Sequence, residues 1–142
     1  MMHFIDFQPE HLLFLNDLTD SRGKVDCDIV EATKQISSKG PCLTLYDDEV
    51  LACGGLMIFC KGFAEIWLKV SKTRMGPHVA RELKAQMFRW IVSHDLHRLQ
   101  ATGPTYWTEL ERWWEWLGMQ KEGVMRKWGS KAQDHFLYAW VK

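Results

Sequence analysis

The chain has 142 residues, 46% of them hydrophobic, which is the size of one domain with enough apolar side chain to bury a full core. Lys plus Arg equals Asp plus Glu at 18 each, so no overall field draws the protein to nucleic acid or to an anionic membrane, and any anion site must be local. No apolar run approaches the roughly 20 residues needed to cross a bilayer, and the N-terminal MMHFIDFQPEH lacks a basic region followed by an apolar run, so the chain reads as soluble and unexported.

Cys27, Cys42, Cys53 and Cys60 show no CxxC or paired metal spacing and most sit in apolar stretches, which reads as buried free thiols in a reducing compartment, with no zinc site. The six histidines likewise lack ligand spacing.

Met2 to Phe7 alternates in polarity and is short enough for a first strand. Gln8-Pro9-Glu10 opens a helix, since Pro suits a first turn, and Leu12, Leu13, Leu15 and Leu18 give it an apolar face. A polar break at 19–23 precedes a second helix from about Val25 to Ser37 with Ile29, Ala32 and Ile36 inward. Cys42 to Tyr46 and Val50 to Cys60 form a hairpin across Asp47-Asp48-Glu49. Gly54 and Gly55 inside its second strand call for a bulge or the close approach of another backbone.

After a turn at Lys61-Gly62 comes the stretch that organises the chain. Ile66, Leu68 and Val70 alternate with Glu65, Trp67 and Lys69 in a strand, the pattern breaks at Met75-Gly76-Pro77, and helical periodicity restarts with Val79, Leu83, Met87 and Ile91 on one face. Such a strand, loop and helix aims the first-turn N–H groups and the helix dipole at the loop, where they can hold an anion such as a pyrophosphate. Plain packing is the competing account of so common a unit. His97 to Thr102 is a further strand, parallel to the Phe63 strand because a helix joins them.

From Trp107 to Leu117 a helix places Trp107, Leu110, Trp113, Trp114 and Leu117 on one side and Glu109, Glu111, Arg112 and Glu115 on the other. Most of these tryptophans read as core, with Trp116 partly exposed at the edge. Gly118 caps the helix, and Met119 to Lys127 pairs with Asp134 to Val141 across Gly129-Ser130-Lys131. The order is β-α-α-β-β-β-α-β-α-β-β, an α/β chain forming a single domain over 1–142.

That order, covering essentially the whole chain, resembles the Gcn5-related N-acetyltransferase superfamily. Two segments carry the resemblance. Phe63-Ala64-Glu65-Ile66, followed by Ser71 to His78 and a helix, looks like the cofactor-binding core of the histone-acetyltransferase branch. Trp113-Trp114-Glu115-Trp116-Leu117-Gly118-Met119, Glu122-Gly123-Val124-Met125-Arg126, Asp134 and Leu137-Tyr138-Ala139 are similar to the ending of the ribosomal-protein N-terminal acetyltransferase branch. Small phage-encoded acetyltransferase-like proteins look similar too, including Leu51-Ala52-Cys53-Gly54-Gly55-Leu56.

The resemblance implies a mixed, mostly antiparallel sheet flanked by helices, and direct acetyl transfer from acetyl-CoA to a primary amine of a protein or small molecule. It implies Glu65 as general base, with Lys69 on the same side of its strand. The backbone at Leu68, Lys69 and Val70 would contact the oxyanion and pantetheine, and Arg74, Met75, Gly76, His78 and Val79 would form the pyrophosphate loop. The chain departs from the family at two points. Thr73 to His78 keeps only the first of the loop's small residues, and Trp114 stands where many members have the tyrosine that protonates the leaving thiolate, so Tyr138 or Tyr106 would take that role.

A second reading is an acetyltransferase-like phage protein without catalysis, acting as a binding or virion-associated protein. The expected location is the cytoplasm, or a host cytoplasm or virion if the protein is viral, and the expected state is a monomer or homodimer. A patch of Arg74, Lys84, Arg89 and Arg98 for nucleic acid is disfavoured by the zero net charge.

Overall fold

The computed structural model describes residues 1–15, 27–71, 73–129 and 131–142, with the backbone alone at 27–29. In chain order the elements are β1 (His3–Asp6), a 3-10 helix (Pro9–Phe14), α1 (Cys27–Ile36), a short 3-10 turn (Ser37–Lys39), β2 (Cys42–Tyr46), β3 (Val50–Cys60), β4 (Phe63–Val70), α2 (Pro77–Ser93), β5 (Arg98–Pro104), α3 (Thr108–Trp116), β6 (Gln120–Met125) and β7 (His135–Val141). Among the described residues seven strands form one sheet in the order β1-β2-β3-β4-β5-β7-β6. The pairs β1/β2, β2/β3, β5/β7 and β6/β7 are antiparallel, while β4/β5 is parallel, as a helical crossover requires. The result is the mixed, mostly antiparallel sheet with flanking helices that the element order implies.

Two compact units divide the chain, one comprising Met1–Ile58 with Ile66–Gln86 and the other Phe59–Glu65 with Met87–Lys142. In the first, Leu45, Leu51, Ala52 and Val79 form a buried cluster that Leu68, Val70, Met75 and Leu83 pack against. Leu12, Leu15, Val50 and Cys53 form another, joined by Phe7, Val30, Tyr46 and Trp67. The β2–β3 turn places Asp48 at φ 59, a left-handed conformation that a short Asp side chain tolerates.

The first helix differs from expectation. It is a 3-10 helix of six residues, so positions three apart line up, and Leu12 and Leu15 are buried while Leu13 is 53% exposed; Leu18 lies outside the described residues. In α1 the inward position is Thr33, 2% exposed, and Ala32 faces solvent. Val25 and the Ile29 side chain lie outside the described residues. The Gly54-Gly55 pair is a site of close approach. A Cβ on Gly55 would come within 2.7 Å of the Pro41 carbonyl oxygen and the Cys42 Sγ, and one on Gly54 within 3.0 Å of the Trp67 carbonyl oxygen. The bulge in this hairpin lies elsewhere, between Leu45 and Tyr46.

In the second unit β5 alternates cleanly, with Leu99 and Ala101 fully buried and Arg98, Gln100 and Thr102 half-buried on the opposite face. Tyr138 packs a tilted ring on Trp114 at 6.4 Å, and Phe88 meets Trp140 edge-on at 6.5 Å. The tryptophans are less internal than expected. Trp114 is buried, Trp107 and Trp113 are half-buried, and Trp113 stacks on the 43%-exposed Trp116. Of the three indoles on this nine-residue helix one is buried, and the other two stack on each other. Gly62 holds the turn before β4 at φ +85, where a Cβ would also run into the His97 ring.

Among the cysteines Cys53 is buried and Cys42 half-buried, but Cys60 is exposed, against the expectation of burial, because it ends β3 at the surface. Among the described residues no helix is long and apolar enough to cross a membrane.

Candidate active site

Glu65 leaves β4 on the half-buried face, because Ala64 and Ile66 on either side of it point inward. The parallel register sets it opposite Gln100. Gln100 Nε2 donates a hydrogen bond to Glu65 Oε1 at 3.0 Å. Burial pushes the Glu65 carboxyl above its ordinary pKa, and the Gln100 donor opposes that shift. A carboxylate held this way binds a proton more readily than a solvated one, which is the property a base near neutral pH needs.

The Gln100 amide is itself held. Its Oε1 accepts from Arg98 Nε at 3.3 Å and from Arg98 Nη2 at 3.2 Å. Arg98 also forms a forked pair with Glu122, at 2.6 Å and 3.1 Å, which raises the guanidinium pKa and lowers that of the carboxylate. Neither Gln100 nor this pair is singled out by the sequence. The available signal was the polar alternation of Arg98, Gln100 and Thr102 on a strand whose other residues are apolar, read together with the Phe63-to-Arg98 register.

Tyr138 does not join this group. Gln100 pairs with Ala139, and Tyr138 pairs with Ala101, so alternation puts Tyr138 on the face opposite Glu65. It is 1% exposed, and burial, then Glu111 and Glu115, raise its hydroxyl pKa. The indole N–H of Trp114 beside it is buried without a hydrogen-bond partner among the described residues. Tyr106 is 75% exposed.

The loop residues form a separate set. The Ser71 N–H donates to the Leu51 carbonyl at 2.9 Å, and the Ser71 carbonyl accepts from the Arg74 N–H at 3.2 Å, so the chain turns as it leaves β4. The side chains of Leu68, Val70, Met75 and Val79 come together in the apolar cluster described above. Their backbone groups are what they can offer a ligand.

Pro77 opens α2 without an N–H, and the Ala80 N–H is spent on the Gly76 carbonyl at 3.0 Å, so His78 and Val79 carry the remaining first-turn donors. His78 is exposed, and Arg74 pairs at 2.5 Å with Glu49, both at the surface. A Cβ on Gly76 would meet nothing within 4 Å, so internal packing does not demand glycine there.

No protein-family model matches the chain, and no curated protein does. Solved structures are similar over nearly the whole length. The ribosomal-protein-alanine N-acetyltransferase from Brucella melitensis superposes with a TM-score of 0.74 at 14% identity, covering 99% of each chain. A GNAT-family acetyltransferase from Streptococcus pneumoniae gives 0.72 at 14%, covering all of both chains. One from Bacillus anthracis gives 0.71 at 16%, covering 99% of this chain and 94% of the other. At such identities the likeness is one of architecture: the chain has the fold of the Gcn5-related N-acetyltransferases.

Proposed function

We propose that residues 1–142 act as one acetyltransferase domain that moves the acetyl group of acetyl-CoA to a primary amine of a protein or small molecule, with Glu65 as general base. The observation that carries this reading is the half-buried Glu65, held by Gln100 at 3.0 Å on the strand before the loop and α2. In the reaction the ammonium gives its proton to Glu65, directly or through one water, and the amine lone pair attacks the thioester carbonyl carbon. Backbone N–H groups of 68–70 are suited to the developing oxyanion. The C–S bond then breaks, the thiolate departs, and the new amide nitrogen releases its remaining extra proton to solvent.

A thiol of pKa about 8.5 is a good leaving group near neutral pH, so the thiolate can take its proton from water. A buried Tyr138 with a raised pKa is poorly suited to supplying it. Tyr138→Phe is expected to acetylate at close to the wild-type rate. A loss of about 10²-fold or more in kcat would instead make Tyr138 the general acid.

His78 and Val79 N–H groups and the α2 dipole would face the pyrophosphate, with Arg74 free to turn to it. Its pair with Glu49 is exposed and contributes at most about 1 kcal/mol, so a phosphate can displace the carboxylate. Calorimetric titration of acetyl-CoA tests this, with Gly76→Ala as the informative variant. Its stability is expected within about 0.5 kcal/mol of wild type, because the Cβ meets nothing. Its acetyl-CoA affinity is expected to fall roughly tenfold, because the Cβ would push the phosphate off the loop donors. Unchanged affinity would remove the loop from the cofactor site. No heat from the wild type at millimolar acetyl-CoA would leave the second reading, a binding protein on an acetyltransferase fold, which Pro77 and Trp114 favour.

A further inference from the structure

We propose that Glu122, Arg98 and Gln100 are positioning residues for Glu65, a relay from β5 and β6 that orients its carboxylate for an incoming ammonium and opposes its protonation. This rests on the reading of Glu65 as the base.

A primary amide can be turned end for end, exchanging its donor and acceptor, so its orientation follows from its neighbours. Here the neighbours leave one choice. A guanidinium has only donors, so the Gln100 oxygen must face Arg98, and the Gln100 NH₂ must then face Glu65. That NH₂ offers Glu65 a donor and no acceptor. It complements the ionised carboxylate and has nothing for a protonated carboxyl to donate to.

Arg98 can do this because it is fixed at its other end. Glu122 takes Nη1 and Nη2 in a fork, leaving Nε and the second hydrogen of Nη2 for the amide, and the guanidinium lies 5.9 Å above the ring of Phe63, its register partner. Glu122 reaches Arg98 from β6 where the register shifts between Lys121 and Gly123. The strand between them, β7, places Ala139 opposite Gln100, a side chain small enough to be bridged.

The charged groups tied to Glu65 through the amide are Arg98 on β5 and Glu122 on β6, which largely neutralise each other. Lys69 follows on the same side of β4. The relay thus acts mainly through the orientation of a dipole, the Gln100 amide.

The test is the titration midpoint of Glu65, read by carboxyl ¹³C NMR on glutamate-labelled protein and assigned by loss of the signal in Glu65→Gln. Removing the donor with Gln100→Leu is expected to raise the midpoint. Arg98→Met, nearer the surface, should raise it in the same direction by less, since it frees the amide to turn without deleting it and removes a positive charge. With an amine acceptor in hand, Gln100→Leu is expected to lower kcat/KM at pH 7 roughly tenfold and move the acid limb of the profile upward, leaving the KM for acetyl-CoA unchanged.

If Gln100→Leu fails to fold, Arg98→Met decides. Midpoints equal to wild type in folded variants would overturn the relay whether or not the protein is an enzyme. Midpoints that rise in a protein that acetylates nothing would keep the relay and remove the enzymatic reading.

Discussion

Glu65→Gln is expected to lower kcat/KM by about 10²- to 10⁴-fold while making the protein more stable at neutral pH. The loss follows from removing the base. The gain follows from the same burial that tunes it. Folding raises the Glu65 pKa, so between the ordinary and the raised value the native state holds more protons than the unfolded chain. Stability then falls as pH rises through that interval and stays lower above it. A glutamine carries no charge to desolvate, yet its Oε1 still accepts from Gln100 Nε2.

Melting temperatures of the two proteins should therefore coincide at acid pH, below the ordinary glutamate range, and separate above it with the variant higher. Wild-type rates in Glu65→Gln would end the base assignment. A variant less stable at neutral pH would mean that interactions with the carboxylate outweigh its desolvation.

Gly55→Ala is expected to cost about 2–3 kcal/mol, lowering the melting temperature by about 10 °C. The new Cβ would stand 2.7 Å from the Pro41 carbonyl oxygen, 2.7 Å from Cys42 Sγ and 2.8 Å from Trp67 Nε1. None of the three is the loose end of a flexible side chain. The carbonyl is fixed by the 3.0 Å bond it accepts from the Leu56 N–H, Cys42 is register-paired with Gly55 itself, and the Trp67 ring is braced edge-on by Phe7 at 5.4 Å. Gly54→Ala, with its closest approach at 3.0 Å, should cost less, and Gly123→Ala, which meets nothing, should be close to neutral. Chemical denaturation of the three variants would establish the order. A near-neutral Gly55→Ala would mean that β2 can move away from β3 at little cost.

The parts of the fold legible in the sequence are those written in local pattern. The β2–β3 hairpin, the strand carrying Glu65, the α2 crossover and the resulting parallel partner all followed from periodicity and turn residues. The close approach at Gly54 and Gly55 was half-legible, since a glycine pair says that a Cβ is unwelcome but not which neighbour excludes it.

What was not legible depends on phase or on tertiary register. Six residues cannot distinguish a repeat of 3.0 from one of 3.6, so the leucines fitted an α-helix as well as the 3-10 helix that holds Leu12 and is capped by Leu15. In α1 the apolar residues spread too widely around the helix to fix the inward face, and Thr33 took the place expected of Ala32. Gln100 was invisible because its meaning arises only when β5 lies beside β4 with Phe63 opposite Arg98. A glutamine on a short strand has no signature of its own.

The register shift at Glu122 also bears on how the molecule behaves in a crowded solution. β6 and β1 are the two outer strands of the sheet, and an outer strand shows a row of unmatched amide and carbonyl groups to any passing chain. β1 is only four residues long, too short to template much. β6 is longer, but Gln120, Lys121 and Glu122 line its start, and the shift between Lys121 and Gly123 breaks the even spacing that a docking strand would need. The irregularity that brings Glu122 to Arg98 therefore also guards this side of the sheet against stacking into fibrils. Straightening β6 by deleting Glu122 would leave the protein prone to self-association as well as lacking one arm of its forked ion pair.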